Sequence, residues 1–160
     1  MTILEELVAR VEKLEAVEEV RKVIRDYAFL HDQGRHTEML ELFEEDCVVE
    51  ISGFGPQLEK TLNGHAEIFE LYGGDRDQDG PSISFKHVIT GSKIDVEGDE
   101  AVVVSYLMVT TFSDGTGRTM QDGLYQERLR RGSDGQWRFC HKRIAGTQER
   151  GVFDALDHSY

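Results

Sequence analysis

The sequence predicts an α+β fold in which N-terminal helices pack on one face of an antiparallel sheet. Apolar residues recur at helical spacing through much of the first 74 residues, whereas everything after Ser84 alternates as long strands. Those strands are separated by "EGDE", "SDGTG" and "GSDGQ". Turns built on Asp-Gly or Gly-Asp at such points mark three consecutive hairpins.

The first helix is expected from residue 3 to about 31. Leu4, Leu7, Val11 and Leu14 follow a heptad spacing, and Val17, Val20, Ile24 and Tyr27 follow it again after a three-residue phase shift. Two heptads are too short to hold a coiled coil alone. Residues 1–16 therefore read as a helical arm, packed on its own domain or on a second subunit, and Val20 to Asp32 as the core helix, stopped by Gly34. Thr37 caps a short helix with Met39, Leu40, Leu42 and Phe43 on one side; Asp46 breaks it, and "CVVEIS" is a strand. "GFGPQLEKTLNG" reads as loop, "NGHAEIFELYGG" as a third helix capped by Asn63, and "DRDQDGPS" as an exposed, mobile connection. In the last strand, alternation puts Trp137, Phe139, His141 and Arg143 on one face and Arg138, Cys140 and Lys142 on the other.

Residues 1–160 are expected to form a single domain, with residues 148–160 as a tail that covers the sheet or the mouth of a pocket. A net charge of −13 argues against nucleic acid, whose phosphates call for a basic face, and against anionic membranes. The opening "MTILEELVARVEKLE" lacks the basic start and apolar run of a signal peptide, and no stretch approaches the ~20 apolar residues of a membrane span. The expected compartment is the cytoplasm. Cys47 and Cys140 sit in strand-like runs and read as buried, reduced thiols. HExxH, GxGxxG, GxSxG and phosphate-loop patterns are missing, so a metal would need three of the six scattered histidines to meet in space. The apolar area of an open sheet, together with the arm, points to a homodimer or homotrimer.

Asp32 draws attention because it stands near the C-terminal end of a helix, against both its propensity and the helix dipole. An aspartate there either bonds a nearby backbone amide or is kept for chemistry. His87, in the strand "HVITG", supplies a partner: a carboxylate can fix one imidazole tautomer and leave the other nitrogen to take a proton. Tyr27, five residues before Asp32 and so about 140° away around the helix, is a candidate hydrogen-bond donor to substrate oxygen. Arg143 is a second candidate, or else the partner of a core carboxylate. Phe29, Phe54, Tyr106, Met108 and Tyr125 are the expected apolar lining of a cavity enclosed by the curled sheet.

The succession "RDYAFLHDQGRHTEMLELFEEDCVVE", "HVITGSKIDVEGDEA", "GLYQERLRR" and "DGQWRFCHKR" resembles the SnoaL-like branch of the nuclear-transport-factor-two-like superfamily, over about residues 15 to 147. It is similar to the lyases of that branch, among them scytalone dehydratase, hexachlorocyclohexane dehydrochlorinase and bile-acid dehydratase. The resemblance implies a cone-shaped α+β barrel, its curved, antiparallel-rich sheet wrapped by N-terminal helices around a deep apolar pocket, with no cofactor. It also implies an Asp–His dyad, matched by Asp32 and His87, a substrate-binding tyrosine matched by Tyr27, and a late arginine matched by Arg143. One departure stands out: where members often carry asparagine four residues after the histidine, this chain has Gly91. The implied function is a cofactor-independent dehydratase acting on a hydrophobic cyclic substrate such as a steroid, terpenoid or polyketide. An isomerase or cyclase using the same base and a non-catalytic small-molecule binder are the alternatives.

Overall fold

The computed structural model describes residues 2–75, 85–113 and 115–156. Helix α1 (Ile3–Gln33) starts from a capping box. The Glu5 amide donates to Thr2 Oγ1 at 3.3 Å, and the Thr2 amide donates to Glu5 Oε2 at 2.7 Å. Gly34, in the left-handed region at φ 70°, ends the helix as its sequence position predicts. Residues 2–15 are exposed throughout, and burial begins only at Ala16, continuing through Val20, Val23, Ile24 and Tyr27. Helix α2 (His36–Leu40), strand β1 (Phe43–Ser52), strand β2 (Lys60–Asn63) and helix α3 (Gly64–Tyr72) follow, and then the meander β3 (Phe85–Glu97), β4 (Glu100–Ser113), β5 (Thr116–Arg131) and β6 (Trp137–Gly146). A short 3-10 helix, Val152–Leu156, closes the described chain.

Six strands form one sheet in the order β2-β1-β6-β5-β4-β3. All neighbours are antiparallel except β1 and β6, which run parallel because the last strand returns beside the first. The sheet is open. Strands β2 and β3 are its edges, so the closed barrel implied by the resemblance is corrected to an unclosed sheet. Helix α1 packs over the inner face, where Val20, Ile24, Val96, Ala101, Leu107, Leu129, Trp137 and Phe139 share one core. On the outer face Val152 of the C-terminal tail packs with Val104, Leu124 and Ala145, so this part of the tail covers the sheet.

Four local expectations change. Thr37 does not cap the second helix: it lies inside α2, whose N-cap is Arg35, and its hydroxyl donates to Asp75 at 2.7 Å. The second helix stops at Leu40 and β1 starts at Phe43, four residues before "CVVEIS", because Phe43 already aligns with Phe139 of β6. The stretch read as loop contains β2, which pairs with Val48–Ile51. Asn63 precedes α3 without a side-chain cap of its own; Glu67 accepts from its amide at 2.7 Å instead. Beyond Asp75, the "DRDQDGPS" connection lies outside the described residues. Among the described residues no helix is long and apolar enough to cross a membrane.

Candidate active site

The last turn of α1 meets the edge strand β3 at Asp32. Its Oδ1 accepts from His87 Nδ1 at 2.7 Å, and both of its carboxylate oxygens lie 3.1 Å from the His87 backbone amide. Because β3 is an edge, an amide on its open side has no strand neighbour to bond. Asp32 therefore does two things: it satisfies that amide and it orients the ring. In a neutral imidazole with Nδ1–H donating to the carboxylate, Nε2 is the ring nitrogen that can accept a proton. The two side chains are 9% and 10% exposed, which shields the pair from water without sealing it off.

Behind the dyad lies a cluster of rings. His31 stacks on His87 with ring centroids 4.2 Å apart, and its centroid is 4.6 Å from that of Tyr72 and 5.3 Å from that of His36. The Tyr72 hydroxyl is 3.0 Å from the Tyr27 hydroxyl, and Tyr27 meets Tyr125 edge-on at 6.0 Å. Burial, then the charge His87 would carry, pushes His31 down to about 3, so this imidazole is neutral. Burial likewise pushes Tyr72 up to about 12 and Tyr27 and Tyr125 well above the ordinary phenol value, so all three remain protonated donors at neutral pH. Beneath Tyr27 and Tyr125 lies a buried ion pair, Lys142 with Glu127. Burial draws the Lys142 amine below its ordinary value while Glu127 works in the opposite direction.

A SnoaL-like domain matches residues 12–143 of the sequence. The chain belongs to the SnoaL-like family. Among solved structures, an NTF2-like protein with a cystatin-like fold from Novosphingobium aromaticivorans is 28% identical over 99% of both chains, with a TM-score of 0.82. A candidate scytalone dehydratase from the same organism is 20% identical over 84% of this chain and 85% of its own, with a TM-score of 0.66. The beta subunit of a candidate aromatic-ring-hydroxylating dioxygenase, again from N. aromaticivorans, is 20% identical over 89% of this chain and 94% of its own, with a TM-score of 0.69. The last two likenesses establish a shared fold, not a shared reaction. No curated protein matches the chain in sequence.

In this SnoaL-like chain the other expected site residues scatter. Strand β6 carries a bulge: Arg128 pairs with His141 and Leu129 with Phe139, leaving Cys140 without an opposite number. The extra residue reverses the alternation. Lys142 therefore joins Trp137 and Phe139 on the inner face, whereas Arg143 turns away, bonding Gln126 at 3.1 Å and pairing with Glu149. The expectation that Arg143 shares a face with the core aromatics is thus corrected; a core cation with a carboxylate partner does exist, one residue earlier. Phe29 is 58% exposed, and Tyr106 and Met108 lie on the outer face, so these three do not line an interior cavity. Phe54 packs partly buried against the core, and Tyr125 is buried within the ring cluster. A groove of about 750 Å³ lies on the outer face, flanked by Glu44, Asp46, Glu100, Arg128, Arg130 and His141, and contains none of the expected site residues.

Gly91 proves to be backbone machinery. It sits at φ 62° in a bulge between Thr90 and Lys93, and an added Cβ would lie 2.9 Å from the Tyr106 ring. Cys47 is buried, which pushes its thiol up to about 12 and makes it a poor nucleophile. Although His31, His36 and His87 do meet in space, His31 stacks on His87 and meets His36 edge-on, and no group of three His, Cys, Asp or Glu among the described residues is placed to hold a metal.

Proposed function

We propose that the chain is a cofactor-independent lyase, a dehydratase that takes a proton and an adjacent hydroxyl from a hydrophobic cyclic substrate of the steroid, terpenoid or polyketide kind. The observation that carries the reading is the 2.7 Å bond between Asp32 and His87 Nδ1, which leaves Nε2 as a base. In the reaction Nε2 accepts the proton from carbon. The C–H electron pair becomes the new double bond, the neighbouring C–O bond breaks, and the imidazolium returns its proton to the departing hydroxyl as water. Asp32 holds the tautomer and balances the imidazolium charge. Tyr27, buried and joined to Tyr72, stands behind the dyad and supports His87 through Tyr72 and the His31 ring. Arg143, on the outer face, has no part in this scheme.

His87→Ala tests it. The backbone amide at residue 87 still anchors Asp32, so the fold is expected to persist while water loss from hydroxylated ring substrates stops. A fully active variant overturns the base assignment. Product mass separates this reaction from isomerisation with the same base: a dehydration product is lighter by one water, an isomer is not. The exposed arm and the apolar residues of the outer face support a homo-oligomer.

A further inference from the structure

The most deeply buried charges in the described chain take no direct part in that scheme. The side chains of Lys142 and Glu127 are both 0% exposed. Lys142 Nζ bonds Glu127 Oε1, while Glu127 Oε2 is buried with no hydrogen-bond partner. Stability gives a poor account of such a pair. Withdrawing two charges from water costs more than their attraction returns unless every lone pair is satisfied, and here one is not. Apolar residues of similar volume commonly fold as well or better.

What the ammonium touches gives a better account. Nζ lies 3.6 Å from the centroid of the Tyr125 ring and 4.1 Å from that of Tyr27. The face of an aromatic ring is its negative side, so a cation held there fixes the plane of each ring. It also draws electron density from the phenol, which makes the hydroxyl a stronger donor. From the Tyr27 hydroxyl the contacts run to Tyr72 at 3.0 Å, then through the His31 ring to His87.

We propose that Lys142 and Glu127 are a positioning pair: the carboxylate holds the ammonium against Tyr27 and Tyr125, and the ammonium sets the orientation and donor strength of those buried phenols, which back His87 through Tyr72 and His31. This deepens the dehydratase reading and rests on His87 as the base.

The test replaces both charges at matched volume, Lys142→Met with Glu127→Leu, in protein carrying ring-labelled tyrosine. The double variant is expected to keep or raise its Tm, to move the carbon NMR signals of Tyr27 and Tyr125, and to leave exposed Tyr106 unmoved. On a dehydration substrate kcat is expected to fall roughly tenfold with KM little changed. A folded double variant with unmoved Tyr27 and Tyr125 signals, or with unchanged kcat, overturns the proposal. Should the double variant unfold, two single changes decide. Lys142→Arg keeps a cation over the rings and is expected to hold both signals near their wild-type positions, whereas Glu127→Gln releases the cation and is expected to move them; the opposite order overturns the assignment. The NMR readout needs no turnover. A wild-type protein that dehydrates nothing sinks the reaction scheme alone, and the NMR signals still decide the role of the pair.

Discussion

Asp32 illustrates how a single side chain holds an edge-strand amide and orients an imidazole through the same two oxygens. Asparagine in its place still accepts from the His87 amide but presents N–H toward the ring. That forces Nδ1 to accept and moves the imidazole proton to Nε2, where it disables the base. Asp32→Asn is therefore expected to lower kcat roughly a hundredfold or more, with nitrogen NMR showing the exchanged tautomer. This pairing was legible in the sequence because an acid at a helix end contradicts local propensity, and such conflicts concentrate at functional positions. His31 was not legible: nothing in "FLHDQ" says that this ring, four residues after Tyr27, bridges Tyr72 and His87. Its burial makes a pH prediction. His31 titrates at about 3 in the fold against 6.5 when exposed, and it faces His87, His36, Asp32 and Tyr72. Below 6.5 the unfolded chain binds a proton that the folded chain refuses, so stability is full above that value and is lost as pH falls toward 3. The loss is on the order of a few kcal/mol. Denaturant melts of His31→Phe are expected to show a flatter profile over this window.

At the scale of the element, two of the four register shifts in the described sheet bear on the expected site residues. Alternation read along "WRFCHKR" assigns the faces correctly up to Cys140 and wrongly after it, because a bulge inserts one residue that no period-2 pattern announces. The helices and the β3–β6 meander were readable from turn chemistry and periodicity. The four-residue strand β2 was not, since "KTLN" becomes a strand only by pairing with β1. The β3 bulge has a sequence mark, Gly91, and a measurable cost of change. Alanine there meets both a left-handed backbone at φ 62° and the Tyr106 ring at 2.9 Å. Gly91→Ala is expected to destabilise the protein by about 1–3 kcal/mol in chemical denaturation. Because the bulge follows His87 by four residues on the same strand, the variant is also expected to loosen the Asp32–His87 bond, visible as faster exchange of the His87 amide with deuterium.

For the whole molecule, charge and exposed apolar surface act against each other. Each chain carries a net charge of −13, which repels a second copy. Yet Leu4, Leu7, Val11 and Leu14 are each at least half exposed along the arm, and Val88, Tyr106, Met108, Phe112 and Met120 are exposed on the sheet. About thirteen helical residues at 1.5 Å each carry this stripe roughly 20 Å along the arm. A stripe of that kind is stable in water when something covers it, and a second copy of the chain is the occupant always at hand. Light scattering is expected to give the mass of a dimer or trimer. The assembly should strengthen as salt rises, because screening removes the charge repulsion and leaves the apolar contact in place. Serine at Leu4, Leu7, Val11 and Leu14 together is expected to reduce the mass to that of one chain with the sheet intact by circular dichroism, since burial begins only at Ala16. If this variant keeps the wild-type mass, the arm is not the contact and the outer face of the sheet becomes the surface to mutate. If the wild type dissociates as salt rises, ion pairs hold the copies together and the apolar account of the assembly fails.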